Sequence, residues 1–275
     1  MSLGQELAEL AVDVAAEAGS LVLQGQSGTL EVAATKSSCT DVVTAVDIAS
    51  EQLIRRRLLT ARPHDGFLGE EGDDVVGSSG VEWVVNPIDG TVNFLYGIAQ
   101  FAVCIAAKVD GVVTAAAVHN PVTGEMFTAV KDEGAQRDGS LISVSDCVEP
   151  AMALVGTGFS YSPRVRRHQA AELARLVPLV RDIRRMGSAA LDLCAVASGR
   201  LDAYVERGLK PWDLAAAGLV AEETGARVEG MRGATAGELL VVAAGHGLFD
   251  DLHELLVDSG FADWPLSNWP AGSLA

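Results

Sequence analysis

Between Phe101 and Val130 three apolar runs are separated by turn residues, and this pattern limits the possible folds more than any other feature. The runs cover 101–109, 112–119 and 125–130. Asp110-Gly111 divides the first two, and the stretch from Asn120 to Gly124 divides the next two. An Asp-Gly pair between apolar runs is a hairpin signal, because both residues tolerate the positive φ of a two-residue turn. The segment therefore predicts an antiparallel meander. Val81 to Val85 reads as a buried strand ahead of it. Asp138-Gly139 marks a further turn, followed by a strand at 141–144.

Upstream, Leu3, Leu7, Leu10, Val14, Ala18, Leu21 and Val22 recur every three or four residues, which predicts an amphipathic helix ending near Gly25. Asp47 is expected to open a second helix running to Leu59, with Arg55, Arg56 and Arg57 on its solvated side. The character changes at Glu149-Pro150. Beyond it, strand and helix patterns alternate: strands near Leu154, Arg184, 203–206, 227–228 and 239–243, and helices over 165–176, 190–197, 213–224 and 248–259. Strands first and alternation afterwards predict an α+β lobe over 1–148 and an α/β lobe over 149–275. The tail carrying Trp264 and Trp269 reads as an irregular strap.

With 37 acids against 20 bases the chain has a formal net charge of -17. That field repels phosphodiester backbones, so nonspecific nucleic-acid binding is not expected. A small phosphorylated ligand would meet the same repulsion, and the lysines and arginines are scattered, so metal ions become candidate counter-charges. Cys39, Cys104, Cys147 and Cys194 have no CxxC spacing and read as reduced thiols. No secretory leader and no membrane-spanning stretch is recognised, and a cytoplasmic location is expected.

The segment most informative about chemistry is Trp83-Val-Val-Asn86-Pro87-Ile88-Asp89-Gly90-Thr91-Val-Asn93-Phe94. An apolar strand runs into a turn that sets Asn86 and Asp89 at its mouth, and Gly90-Thr91 can begin a short helix whose free N–H groups suit a phosphate. By itself the segment could equally be an ordinary Asp-Gly turn. Two other acidic places bear on it. Glu70 and Glu71 lie between glycines in Gly69-Glu70-Glu71-Gly72. Asp213 lies at the start of a small-residue helix in Pro211-Trp212-Asp213-Leu-Ala-Ala-Ala-Gly218, where a lone acid would ordinarily be read as a cap. Mg²⁺ takes several hard oxygen ligands and shares them with substrate phosphate. Glu70, Asp89 and Asp213 meet that demand if the fold gathers them.

Taken together, GEEG, WVVNPIDGTVNF and PWDLAAAG resemble the signatures of the inositol monophosphatase family, in particular its bacterial extragenic-suppressor-type members. KSSCTDVVTAVD (36–47) and GSAALDLCAVASGRLDAYVE (187–206) extend the likeness in order over residues 30–225. The resemblance implies a layered α/β/α/β/α sandwich of the inositol monophosphatase/fructose-bisphosphatase type, Mg²⁺ as cofactor, and a homodimer. It implies metal ligation by Glu70, Asp89, Asp213 and the Ile88 carbonyl, with position 86 completing the set. Thr91 and Asp47 would orient the attacking water, which Glu70 helps activate. Gly90 and Thr91 would receive the phosphate, while Gly187, Ser188, Ala189 and Glu206 would line a polyol pocket. Lys36 would sit in a loop over the metals.

At position 86 the family pattern has Asp and this chain has Asn. An amide offers one oxygen and no charge, so weaker binding of a second ion and slower turnover are expected. The function implied is Mg²⁺-dependent hydrolysis of a small phosphomonoester, with inositol 1-phosphate first and histidinol phosphate or a sugar phosphate as alternatives. A catalytically weakened regulatory protein acting through protein partners is the competing reading.

Overall fold

The computed structural model describes residues 1–27, 32–35 and 42–263, with 32–35 and 42 described by backbone alone. Lys36, Cys39 and the tryptophan-bearing tail lie outside the described residues.

Helix α1 (Leu3–Gln26) buries Leu7, Ala11, Val14, Ala15, Ala18 and Val22 on one stripe, and Ser2 caps it reciprocally with Gln5. A two-stranded ribbon, β1 (Val32–Thr35) and β2 (Val42–Thr44), leads into α2 (Ala45–Ala61). A seven-stranded sheet follows, built from β3 (Gly66–Gly69), β4 (Val81–Asp89), β5 (Ala102–Val109), β6 (Val112–His119), β7 (Met126–Val130), β8 (Gly134–Arg137) and β9 (Ser140–Leu141), with α3 (Thr91–Tyr96) between β4 and β5. From β4 to β9 every neighbour is antiparallel, as the hairpin signals require. Asp110 and Gly111 both take positive φ, and so do Asp138 and Gly139.

The remaining elements are β10 (Leu154–Thr157), α4 (Pro163–Leu176), β11 (Asp182–Arg184), α5 (Ala189–Ala197), β12 (Ala203–Glu206), α6 (Pro211–Glu222), β13 (Ala226–Glu229), β14 (Val241–Gly245) and α7 (His246–Asp258). Their sheet has the order β11-β10-β12-β14-β13. It is parallel around β10 and antiparallel on both sides of β14.

The layers follow from which faces are apolar. Strand β4 sends Trp83 and Val85 to one side, where they join the stripe of α1 and Ile54 and Leu58 of α2. It sends Val84 to the other side, with Ala102, Cys104 and Ala106 of β5, against α5 and α6. The far face of the second sheet is covered by Leu248, Phe249, Leu252 and Leu256 of α7 and by Leu176 at the end of α4. The order is α1/α2, seven-stranded sheet, α5/α6, five-stranded sheet, α4/α7: the α/β/α/β/α sandwich. The inner layer is rich in alanine and leucine, with Cys194, Val196 and Val220, because a helix with sheets on both faces has no wet side. Trp83 is fully buried and donates its Nε1–H to Asp65 Oδ2 at 3.0 Å, so its polar edge is satisfied.

Several boundaries differ from expectation. The second helix starts at Ala45 with Thr44 as its cap, so Asp47 is the third helical residue rather than the opening one. The strand expected at 141–144 is only Ser140–Leu141. Past it, Val144 N–H bonds Thr224 O and Ser145 Oγ bonds Asp202, which draws the chain out of the first sheet toward the second half. Strands β3 and β8 were not anticipated.

Candidate functional site

The site forms where the C-terminal end of β4 meets the starts of α5 and α6. Pairing of β4 with β5 is regular up to Asn86 opposite Cys104, shifts between Asn86 and Asp89, and resumes with Asp89 opposite Ala102. Pro87 lies in that irregular stretch, where no ladder N–H is needed. Gly90 then takes φ 97° and ends the strand. Side chains there would be blocked, since an added Cβ would stand 3.0 Å from Gln100 O and 3.1 Å from Gly187 O. The N–H groups of Thr91, Val92 and Asn93 open α3 and have no intrahelical acceptors.

Asp89 is 7% exposed. Its Oδ2 accepts from the Ser188 hydroxyl and, at 2.9 Å, from Ala190 N–H at the start of α5. Asp213 is the third residue of α6, and its Oδ2 accepts from Lys210 N–H at 2.8 Å. Its Oδ1 accepts from Asn86 Nδ2 at 2.8 Å, while Asn86 Oδ1 accepts from Ile88 N–H at 3.2 Å. A carboxylate only accepts and a backbone N–H only donates, so these two partners fix which way the Asn86 amide points. Asp47 repeats the arrangement of Asp213: as third residue of α2 its Oδ2 accepts from Thr44 N–H at 2.8 Å and from the Thr44 hydroxyl. Its Oδ1 faces Thr91 Oγ1 at 3.2 Å, and Thr91 Oγ1 also lies 3.1 Å from the Ile88 carbonyl.

Burial dominates the electrostatics. It raises the carboxyls of Asp47 and Asp89, against the hydrogen bonds from Thr44 and from Ser188 and Ala190. Asp213 is pushed up to about 7 by desolvation and then by the charge of Asp89. Glu206 is pushed up to about 7 by desolvation, with Asp89 adding to it. Asp192, fully inside α5, rises to about 8 through burial and then through Glu206 and Asp89. The Cys104 thiol, on the strand opposite Asn86, is raised by its own burial and then by Asp89, Cys194, Asp213 and Glu70. One buried atom thus feels acids from three separate parts of the chain.

Among the described residues no three His, Cys, Asp or Glu side chains stand close enough to hold an ion as they are. Two of the five expected ligands, Asn86 and the Ile88 carbonyl, are neutral oxygens. The acids still suit a hard divalent cation: their donors are oxygens, and the buried Asp89 raises the desolvated Asp213, a repulsion a cation relieves, while at Asn86 the amide N–H rather than the oxygen faces Asp213. Glu70 sits half-buried on the bend after β3. Glu71 N–H beside it donates to Glu51 Oε2 at 2.7 Å, which fixes the bend. Gly187 takes φ 99°, Ser188 caps α5 by accepting from Leu191 N–H at 3.3 Å, and Ala189 is the first residue of that helix. Glu206 ends β12 and accepts from the Tyr204 hydroxyl.

Two participants, Asn93 and Arg185, were not expected in the site, and a third, Ser188, has a different partner from the one expected. Asn93 is buried and donates to Gln100 O at 2.7 Å and Met186 O at 2.8 Å, tying the loop before Gly187 to the turn. Its place in the same motif as Asp89 was the available signal. Ser188 was expected in the pocket lining, yet its hydroxyl is spent on Asp89. Arg185 is exposed and near Asp89, Asp192 and Glu206; nothing in the sequence distinguished it from its neighbours.

A glycine turn with unpaired helix-start N–H groups thus lies beside buried carboxylates at the junction of a five-layer sandwich. The inositol monophosphatase family profile matches residues 4–259. The chain is 51% identical over 228 residues to an inositol-1-monophosphatase SuhB of Mycobacterium tuberculosis, covering 79% of this chain and 78% of that protein. It is 37% identical over 240 residues to a protein of Pasteurella multocida named Nus factor SuhB, covering 85% and 90%. Among solved structures, the extragenic suppressor protein suhB from Bartonella henselae superposes with a TM-score of 0.86 at 33% identity, covering 90% of this chain and 97% of that one. Mycobacterium tuberculosis SuhB superposes with a TM-score of 0.80 at 44% identity, covering 94% and 98%. The chain belongs to the inositol monophosphatase family.

Proposed function

We propose that this protein is a Mg²⁺-dependent phosphomonoesterase acting on a small polyol phosphate, with inositol 1-phosphate the first candidate and histidinol phosphate or a sugar phosphate next. The observation that carries the reading is the pair Asp89 and Asp213, desolvated acids held from different halves of the chain beside the Gly90-Thr91 turn, with the charge of Asp89 raising Asp213's affinity for protons. Glu70, Asp89, Asp213 and the Ile88 carbonyl would hold the metal, and the Asn86 amide would have to turn its oxygen away from Ile88 N–H to join them. Mg²⁺ at such a place supplies charge neutralisation of the phosphate, a more acidic water and stabilisation of the leaving oxygen.

The protein's own groups do the rest. The turn at Gly90-Thr91 receives the phosphate oxygens on backbone N–H groups. A hydroxyl carries one proton, so Thr91 donates either to Asp47 or to the Ile88 carbonyl. Donation to Asp47 leaves that carbonyl free as a ligand and leaves the Thr91 lone pairs to orient a water. Burial makes Asp47 a stronger base than an exposed carboxylate, and Glu70 assists in taking the water's proton. Glu206, with Gly187, Ser188 and Ala189, would line the polyol end. A screen of monophosphates for phosphate release, with Mg²⁺ and with a chelator, tests the reading; release that ignores the chelator would refute it.

A regulatory role through protein partners is the second reading. It is favoured by Asn86 and by the Nus-factor name of relatives such as the Pasteurella protein. We further propose a cytoplasmic homodimer. Free Cys104, Cys147 and Cys194 accord with a reducing compartment, and light scattering would give the oligomeric state. Among the described residues no helix is long and apolar enough to cross a membrane.

A further inference from the structure

The strand pair β10/β12 carries a feature that the catalytic reading does not use. The two strands are parallel, with Gly156 opposite Tyr204 and Thr157 opposite Val205. Side chains two apart share a face of a sheet. Tyr204 and Glu206 therefore project to one side, and Gly156 and Gly158 flank them on the neighbouring chain. An added Cβ at Gly156 would stand 3.1 Å from Tyr204 Cδ2 and 2.8 Å from Leu201 Cδ1. An added Cβ at Gly158 would fall inside the Glu206 carboxylate. Tyr204 is completely buried, and its hydroxyl donates to Glu206 Oε2.

We propose that Gly156-Thr157-Gly158 and Tyr204-Val205-Glu206 form one selectivity device, in which the glycines clear the space and the Tyr204 hydroxyl aims the Glu206 carboxylate at substrate hydroxyls. Tyr204 and Gly158 are positioning residues: they act through Glu206 and touch no reacting atom. With one Glu206 oxygen held by Tyr204, the other is left to accept from a polyol. A carboxylate free to rotate would lose that directional preference and the ordering it provides. The inference rests on the polyol phosphatase reading and names the parts that give it its preference for hydroxylated substrates.

The test compares inositol 1-phosphate with methyl phosphate, which has no hydroxyl to recognise, in wild type and in Tyr204→Phe, Gly158→Ala and Glu206→Gln. Phe keeps the buried ring. Gly158 lies outside the positive-φ glycines, and what its new methyl meets is the movable end of a side chain, so both variants are expected to fold; circular dichroism and melting check this. The expected result is a fall of about tenfold in the kcat/KM preference for the polyol ester in each variant, carried in KM, as for loss of a hydrogen bond to a charged group. Tyr204→Phe combined with Glu206→Gln is expected to fall no further than Glu206→Gln alone, because residues acting as a unit are not additive. A preference unchanged in Tyr204→Phe and Gly158→Ala, or equal losses for both esters, would overturn the proposal. So would a wild type with no preference. If wild type hydrolyses neither ester, the catalytic reading fails separately, and the same preference is read from calorimetric Kd values in Mg²⁺. Binding that does not discriminate between the esters then overturns this inference as well.

Discussion

Replacing Asn86 by Asp probes a motif position at which the family resemblance leads one to expect an acid, and the structure sets the size of the effect. In the absence of metal, Asn86 Nδ2–H is a donor to Asp213 Oδ1 at 2.8 Å. The amide thereby supplies Asp213 with the positive end of a dipole. Asp at 86 removes a hydrogen bond to a charged group, worth about 1.5–3 kcal/mol, and adds a second acid beside Asp213 and Asp89. For a chain of this size each kcal/mol shifts Tm by about 2–4 °C. Asn86→Asp should therefore melt roughly 4–8 °C below wild type in a chelator, taking about 2 kcal/mol as the loss. Added Mg²⁺ should reverse the order, because a site holding metal at about a hundred times its Kd gains about 2.7 kcal/mol, and a second carboxylate tightens that site. Asn86→Ala, which loses the bond without adding a ligand, should fall in the chelator and recover little with Mg²⁺. Differential scanning fluorimetry across a Mg²⁺ titration reads all three proteins, and phosphate release accompanies it, with Asn86→Asp expected to be faster. Identical melting of Asn86→Asp and wild type in the chelator, together with identical Mg²⁺ shifts, would show that position 86 neither supports Asp213 nor contacts the ion.

Three further outcomes are expected. Gly90→Ala should lower activity by more than tenfold and stability by about 1–2 kcal/mol, since φ 97° disfavours an L side chain and the carbonyls of Gln100 and Gly187 crowd its Cβ; kinetics and denaturant melts measure both, and unchanged activity would refute the role of the turn. Ser188→Ala should weaken metal binding in calorimetry, because Asp89 loses the hydroxyl that holds its Oδ2; an unaltered Kd would refute that role. Asp192→Asn should stabilise the metal-free protein more at pH 8 than at pH 5. The folded carboxyl, raised to about 8, keeps its proton where the unfolded one has lost it, so the native state pays increasingly between the unfolded value near 4 and about 8. Melting curves at the two pH values check it, and an equal gain at both would contradict the assignment.

Much of this was legible locally. The meander could be read because Asp110-Gly111 and Asp138-Gly139 demand positive φ and so fix hairpins. The acids at 70, 89 and 213 stood out because each lies beside glycine or at a helix start, where a backbone can approach an anion or a cation. What was hidden depends on register between distant segments. Strand β3, with the sequence GFLG, has little β-branched character and is a strand because it lies parallel to β4. The Tyr204–Glu206 contact with Gly156 and Gly158 exists only once β10 and β12 are paired. Asp47 looked like a helix opener because the reciprocal cap from Thr44 is a matter of one turn's geometry. Asn93 and Ser188 hold the loop and the carboxylate through bonds spanning 93 and 99 residues, which no local pattern reveals.

The most direct test is an anomalous-difference map from crystals of the protein equilibrated with Mn²⁺. The account predicts a peak bounded by Glu70, Asp89, Asp213 and the Ile88 carbonyl, beside the Gly90-Thr91 turn. Saturating Mn²⁺ with density elsewhere, or with none at these oxygens, would contradict it.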